Sequence, residues 1–139
     1  MPVGMLIDNI LYNLAPADVL NGLFSTIVAH LEPVSWGERF PIILGKLYTG
    51  ELHARDAEAA ITEVRQIRSE LHAIPPEYAI WDIKRIQQTI PNGSQIWKKA
   101  PNLAEFFRSS VGTSLLDDLE EDLEILKKKG GTARLLDIK

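Results

Sequence analysis

The residues best suited to acid–base or metal chemistry are three histidines, and they lie far apart in the sequence, at His30, His53 and His72. None belongs to a His-Glu-x-x-His metal motif, and the sequence contains neither a Gly-x-Ser-x-Gly elbow nor a phosphate-binding glycine loop. We interpret His30 and His72 as residues that stabilise helix ends, and His53 as a loop residue. Cysteine is absent, which excludes thiolate nucleophiles and thiolate metal ligands. We therefore expect no enzyme activity, no metal and no cofactor.

A second group that could do chemistry is a run of acidic residues, in which six carboxylates occupy eight positions of a predicted helix. One interpretation is a solvated helix face, because acids at the start and lysines at the end match the helix dipole. However, three of the pairs spaced four residues apart carry like charge, and each such pair costs a few tenths of a kcal/mol. The other interpretation is a surface that attracts a basic partner. The six residues are Asp117, Asp118, Glu120, Glu121, Asp122 and Glu124.

Tryptophans form the third group of candidate residues. Trp36 and Trp81 are flanked by apolar residues, which favours packing in the core. Trp97 lies in a predicted loop beside Lys98 and Lys99, where it suits core packing and an interface equally well, because tryptophan often anchors protein interfaces. We therefore add Trp97 to the six carboxylates as a candidate partner-binding residue.

The composition indicates one globular domain, residues 1–139, with 45% hydrophobic and 24% charged residues and a formal net charge of −4. The basic residues are scattered apart from three consecutive lysines, which argues against nucleic-acid binding. No apolar run approaches the length that crosses a membrane. No basic residue occurs before Arg39, and neither a secretory signal nor a transit peptide is recognisable. The sequence thus predicts a cytoplasmic protein without membrane or nucleic-acid partners.

The spacing of apolar residues predicts the elements that must position these side chains. Residues 3–14 predict two short strands or one strand and a loop, residues 78–83 a short strand, and residues 132–139 an edge strand. The fold class is α+β, a single domain with four or five helices packed on a small, mainly antiparallel sheet formed by the N- and C-terminal segments. Helices are predicted after Pro16 up to Leu31, over residues 40–48, from about Arg55 to Ile74, briefly from Asn102, and over residues 114–128. On the third of these helices, the charged residues off the apolar stripe are predicted to face outward: Glu58, Glu63, Arg65, Arg68 and Glu70.

The order of several short motifs along the chain resembles one known family, the bacterial immunity proteins of family seventy, which belong to polymorphic-toxin and contact-dependent growth inhibition systems. The resemblance covers nearly the whole chain and contains no catalytic motif. Its blocks are Phe24-Ser25-Thr26-Ile27, His30-Leu31-Glu32-Pro33, Trp36-Gly37-Glu38-Arg39-Phe40-Pro41, Leu47-Tyr48-Thr49-Gly50-Glu51-Leu52, residues 63–71, Ile80-Trp81-Asp82-Ile83, Asn102-Leu103, Phe106-Phe107 and Gly112.

The resemblance implies that the protein binds and neutralises the C-terminal domain of a cognate toxin. Toxin domains of such systems are often nucleases with basic substrate-binding surfaces, so an acidic inhibitor suits them. The block at residues 36–41 is interpreted either as a structural turn or as a recognition element acting through Glu38 and Arg39.

Two other classes of function stay open on the sequence alone. The first alternative is a protein-binding adaptor or regulatory module that has no toxin partner. The second is a small hydrolase that uses a pair of carboxylates in a concave pocket.

Overall fold

The computed structural model describes residues 2–31, 39–48, 50–75, 78, 101–109 and 113–137. Within them the chain forms four strands, four α-helices, a π-helix and a 3-10 helix, so the predicted α+β class is confirmed. In chain order the elements are β1 (Pro2–Ile7), β2 (Ile10–Pro16), α1 (Ala17–Leu31), the π-helix (Pro41–Leu47), β3 (Glu51–His53), the 3-10 helix (Ala54–Asp56), α2 (Ala57–Leu71), α3 (Leu103–Phe106), α4 (Leu115–Lys129) and β4 (Thr132–Asp137).

The sheet is antiparallel and has the strand order β2-β1-β4-β3. Strands β1 and β2 form a hairpin that turns at Asp8, whose φ of 57° lies in the left-handed region that aspartate tolerates. Of the two alternatives for residues 3–14, the structure therefore has two strands. A register shift between Val3 and Gly4 marks a bulge near the open end of the hairpin.

The C-terminal strand β4 lies in the interior of the sheet, so the prediction of an edge strand is wrong. It pairs with β1 on one side and with β3 on the other. Its loose alternation arises because only one face of the sheet is packed: Ala133 is fully buried, whereas Arg134 is exposed on the opposite face. The partner on the far side is the three-residue strand β3. His53 ends that strand, so its predicted loop position is also wrong.

The core lies between the packed face of the sheet and the apolar stripes of the helices. Met5, Ile7 and Leu52 project from the sheet into this core and are fully buried. The apolar stripes predicted for α1, α2 and α4 are buried as expected, which confirms those helices within two or three residues at each end. The predicted strand over residues 78–83 lies outside the described residues, apart from Tyr78.

Two helix starts are capped by side chains. The Asn102 side chain accepts a hydrogen bond of 3.0 Å from the Glu105 backbone N–H, as its capping motif predicts. The π-helix has no cap from its own preceding residue, and Glu63 of α2 supplies one instead. The two carboxylate oxygens of Glu63 accept hydrogen bonds from the backbone N–H groups of Ile42 (3.2 Å) and Ile43 (2.8 Å). Glu63 was predicted to face outward; it instead joins α2 to the π-helix.

Candidate functional site

The acidic run spans residues 117–124 of α4, ahead of the lysines in its last turn, and the helix divides it between two sides. Leucines at positions 115, 116, 119, 123 and 126 face the core. Successive residues of a helix point about 100° apart, so the acidic residues fall on the two sides of this leucine stripe. We call Asp117, Glu120 and Glu124 the α2-facing flank. We call Asp118, Glu121 and Asp122 the carboxylate cluster.

Arginines from α2 neutralise the α2-facing flank. Arg68 lies 2.9 Å from carboxylate oxygens of both Asp117 and Glu120. Arg65 approaches Glu120 at 3.5 Å and Glu124 at 3.8 Å. Half of the acidic run therefore has positively charged partners inside the protein, which neither a solvated face nor a free binding surface anticipates.

These two arginines were predicted to face outward from α2. A sequence pattern shows that they lie outside the apolar stripe, but it does not show which neighbouring helix they meet. The sequence did contain a hint of this contact. Helix α4 carries more acids than its dipole needs, and α2 carries two arginines three residues apart for which no partner had been predicted.

The carboxylate cluster on the other side of α4 has a different environment. Asp118 accepts a hydrogen bond of 2.7 Å from the Thr113 hydroxyl, which is a neutral donor. Glu121 is exposed to solvent. Asp122 is buried, with only 8% of its surface exposed. Asp118 lies three positions before Glu121 and four before Asp122, so it neighbours both on the helix surface, whereas Glu121 and Asp122 are adjacent in sequence and point about 100° apart.

Asp122 is the least expected residue of the cluster, because among the described residues its carboxylate has neither a hydrogen bond nor an ion pair. Burial, together with the charges of Asp118 and Glu121, raises the pKa of Asp122 to about 7. Its burial follows from the sequence, since Asp122 lies three residues after Leu119 and four before Leu126 and so continues the apolar stripe. The expectation of six equivalent exposed carboxylates does not describe this residue.

The other candidate residues contribute less to a site. Trp97, Trp36 and Trp81 lie outside the described residues, as does Glu38. Arg39 donates hydrogen bonds to the Leu31 carbonyl (2.9 Å) and to the Glu70 carboxylate. Of the two interpretations of residues 36–41, these contacts support a structural role for Arg39, because they fasten the start of the π-helix segment to α1 and α2.

The three histidines belong to different elements: His30 to the last turn of α1, His53 to β3, and His72 to the position after α2. The His30 Nε2 atom lies 2.8 Å from the Tyr78 carbonyl oxygen, while His72 follows the last turn of α2. Among the described residues no three His, Asp or Glu side chains are placed to hold a metal ion. An open cleft of about 450 Å³ lies beside β1 and β4, and the described residues that line it are uncharged: Val3, Ala17, Leu20, Asn21, Tyr48, Leu135 and Leu136.

Comparison with known protein families decides the identity of the chain. The family model described as Immunity protein 70 matches residues 5–135, which run from β1 through β4. The chain belongs to the Immunity protein 70 family. The resemblance stated from the sequence motifs is thereby confirmed, and it extends over the sheet, α1, α2 and α4.

Membership of the Immunity protein 70 family makes this chain an immunity protein, a class whose partner is a toxin protein. No curated protein and no solved structure matches the chain. In the described part of this immunity protein, no helix combines the length and apolar character that a membrane-spanning segment requires.

Proposed function

We propose that this immunity protein binds the C-terminal toxin domain of a polymorphic or contact-dependent growth inhibition system and neutralises it in the cytoplasm of the producing cell. The observation that carries the proposal is the family match over residues 5–135. The protein acts by binding and performs no reaction of its own. In support, the described residues that line the cleft are uncharged.

The toxin that suits this chain best is a nuclease with a basic substrate-binding surface. The immunity protein is acidic, with a net charge of −4, and it concentrates carboxylates on α4. Opposite charge on the two surfaces accelerates their association and disfavours other partners. The candidate contact residues are the six carboxylates of α4 together with Trp97. By occupying the phosphate-binding surface, the immunity protein excludes the nucleic-acid substrate.

The decisive experiment is co-expression with the C-terminal toxin domain encoded by the reading frame directly upstream. We expect expression of the toxin domain alone to stop growth, co-expression to restore it, and the two proteins to copurify as a complex. In vitro, stoichiometric immunity protein should abolish cleavage of plasmid DNA or RNA by the purified toxin domain. Growth that stays arrested despite normal levels of immunity protein would contradict the proposal and favour an adaptor with a different partner.

A further inference from the structure

The cleft beside β1 and β4 lies where two neighbouring strands differ in length. Strand β4 has six residues, whereas β3 has three and pairs only with residues 132–134 of β4. The second half of β4 therefore has β1 on one side and, among the described residues, no strand on the other. The open cleft of about 450 Å³ is lined there by Leu135 and Leu136, and also by Tyr48, which precedes β3 by three residues.

The backbone of Leu135 has an open side in this place. In an antiparallel sheet, successive residues of an inner strand bond to opposite neighbours. The Thr132 carbonyl accepts a hydrogen bond of 3.1 Å from the Asp8 N–H on the β1 side. The Gly131 carbonyl accepts one of 2.9 Å from the Ala54 N–H on the β3 side. By this alternation Leu135 directs its N–H and C=O groups to the β3 side, beyond the end of β3, and no backbone group of the described residues bonds to them there.

The walls of the cleft are held in place by contacts within the fold. Ala17, Leu20 and Asn21 line it from α1, where their spacing of three and four residues puts them on one face of the helix. The Tyr48 ring packs on Phe24 of α1 with 4.6 Å between ring centroids, and its hydroxyl donates a hydrogen bond of 3.3 Å to Asn21. Tyr48 is therefore fastened to α1, and the space between α1 and the end of β4 stays open.

We propose that this cleft binds an extended segment of the toxin domain, which pairs with Leu135 of β4 where a longer β3 would lie and inserts an uncharged apolar side chain between β4 and α1. Segments that join the edge of a sheet gain affinity from main-chain hydrogen bonds and specificity from pockets for alternate side chains, and the cleft offers both. This inference rests on the proposed function, because the occupant belongs to the toxin. It adds a contact that the carboxylates of α4 do not provide.

The charges in and around the cleft favour a toxin segment over a second copy of this chain. The described lining is uncharged, so a charged side chain would lose its hydration there without gaining an ion pair. At the rim, Arg134 lies opposite Glu51 in the register of β4 and β3, so these two charges offset each other. Asp18, next to Ala17, is exposed and leaves the rim acidic, which suits an apolar residue flanked by lysine or arginine. Two copies of this chain each carry a net charge of −4 and repel each other.

The first test fills the cleft from α1. The probe is the purified toxin C-terminal domain from the upstream reading frame, measured by calorimetry and by binding kinetics. We expect Ala17→Leu to weaken binding about tenfold, through faster dissociation and equally at low and high salt, because apolar contacts are not screened. The matched control Ala29→Leu makes the same change at an exposed position of the same helix and should alter affinity less than about threefold. Equal effects of the two substitutions, or no effect of either, would overturn the inference.

The second test needs no substitution, because hydrogen exchange reports directly on the backbone of β4. In the free immunity protein, the Leu135 amide should exchange faster than the Leu136 amide, which faces Gly4 of β1. Binding of the toxin domain should slow exchange at Leu135 at least about tenfold and change Leu136 little. An amide of Leu135 that still exchanges rapidly in the stoichiometric complex would refute the added strand.

The remaining outcomes separate this inference from its alternatives. If the immunity protein alone sediments as a dimer that Ala17→Leu dissociates, the cleft binds a second copy and the inference is wrong. If the wild-type protein rescues growth and Ala17→Leu binds the toxin domain as tightly as Ala29→Leu does, the cleft contact fails while the proposed function stands. If the wild-type protein does not bind the toxin domain at all, the proposed function and this inference fail together.

Discussion

The Arg68 guanidinium of α2 lies 2.9 Å from the Glu120 carboxylate of α4, and this contact is the centre of the junction between the two helices. Arg68 reaches Asp117 at the same distance, and Glu120 is also approached by Arg65. The Nε atom of Arg68 is buried and has no hydrogen-bond acceptor among the described residues. The junction is therefore held by charge and by the packing of the arginine stem rather than by a complete hydrogen-bond network.

Replacement of Arg68 should weaken this junction measurably. In Arg68→Met, Asp117 and Glu120 lose a shared counter-charge, and we expect the free energy of unfolding to fall by about 1 to 2 kcal/mol. Urea denaturation followed by circular dichroism measures the change. Lys128→Met is the matched control, because it removes one positive charge from an exposed position and should alter stability by less than about 0.5 kcal/mol. Equal losses in the two variants would contradict a special role for Arg68.

Asp122 should make stability depend on pH in the direction opposite to most acids. The pKa of Asp122 is about 7 in the folded protein against an ordinary value of 3.8, so between these pH values the folded state holds a proton that the unfolded chain has lost. Stability due to this group therefore falls as the pH rises from about 4 to about 7. We expect Asp122→Asn to be more stable than wild type by about 2 to 4 kcal/mol at pH 8, with the difference vanishing near pH 4. Denaturation at the two pH values, with Asp117→Asn as control, tests this; a difference independent of pH would refute it.

Glu63 should determine the stability of the π-helix. In Glu63→Ala the backbone N–H groups of Ile42 and Ile43 lose their acceptors, which should destabilise the protein by about 1 to 2 kcal/mol. Hydrogen exchange of those two amides should accelerate more than exchange in α4. Glu58→Ala is the control on the same helix. The Glu58 side chain is 80% exposed, and its ion pair with Lys127 is long, at 4.0 Å, so its loss should change stability little. Unchanged exchange at Ile42 and Ile43 would show that Glu63 is not their cap.

Asn102 should act as a helix cap that a shorter capping side chain can replace. Asn102→Ala removes the acceptor of the Glu105 N–H and should cost about 1 kcal/mol, whereas Asn102→Ser should retain most of the stability because serine is also a good cap. Thermal unfolding of the three proteins provides the comparison. If Asn102→Ser is as unstable as Asn102→Ala, then burial of the amide and not capping is what matters at this position.

The parts of the fold that could be predicted from the sequence are those in which a local pattern is sufficient. The apolar residues of α1, α2 and α4 repeat at helical spacing. Asn102, three residues before Glu105, forms a capping motif that predicts the start of α3. The interior position of β4 could not be predicted, because pairing on two sides leaves the same alternation as pairing on one when a single face is packed. The three-residue strand β3 is too short to show any alternation.

The candidate site divides in the same way. The acidic run was visible in the sequence, and its excess of carboxylates over what the dipole needs was interpreted as a possible surface for a basic partner, whereas three of the six carboxylates contact arginines of α2. Its division was not visible, because Arg65 and Arg68 meet α4 only through tertiary packing. The apolar stripe could have shown that Asp122 is buried, since its spacing from Leu119 and Leu126 is that of a core residue.

The interior position of β4 also sets when the sheet can be completed during folding. Met5 pairs with Leu135, so β1 obtains its second neighbour only after nearly the whole described chain exists, and contacts this distant in sequence slow folding. Helix α4 leads into β4 through Gly130 and Gly131, both with positive φ, so insertion of the strand fixes the direction of the helix. A newly made molecule therefore completes its sheet only once its two ends have met, and any surface that depends on the finished sheet forms no earlier.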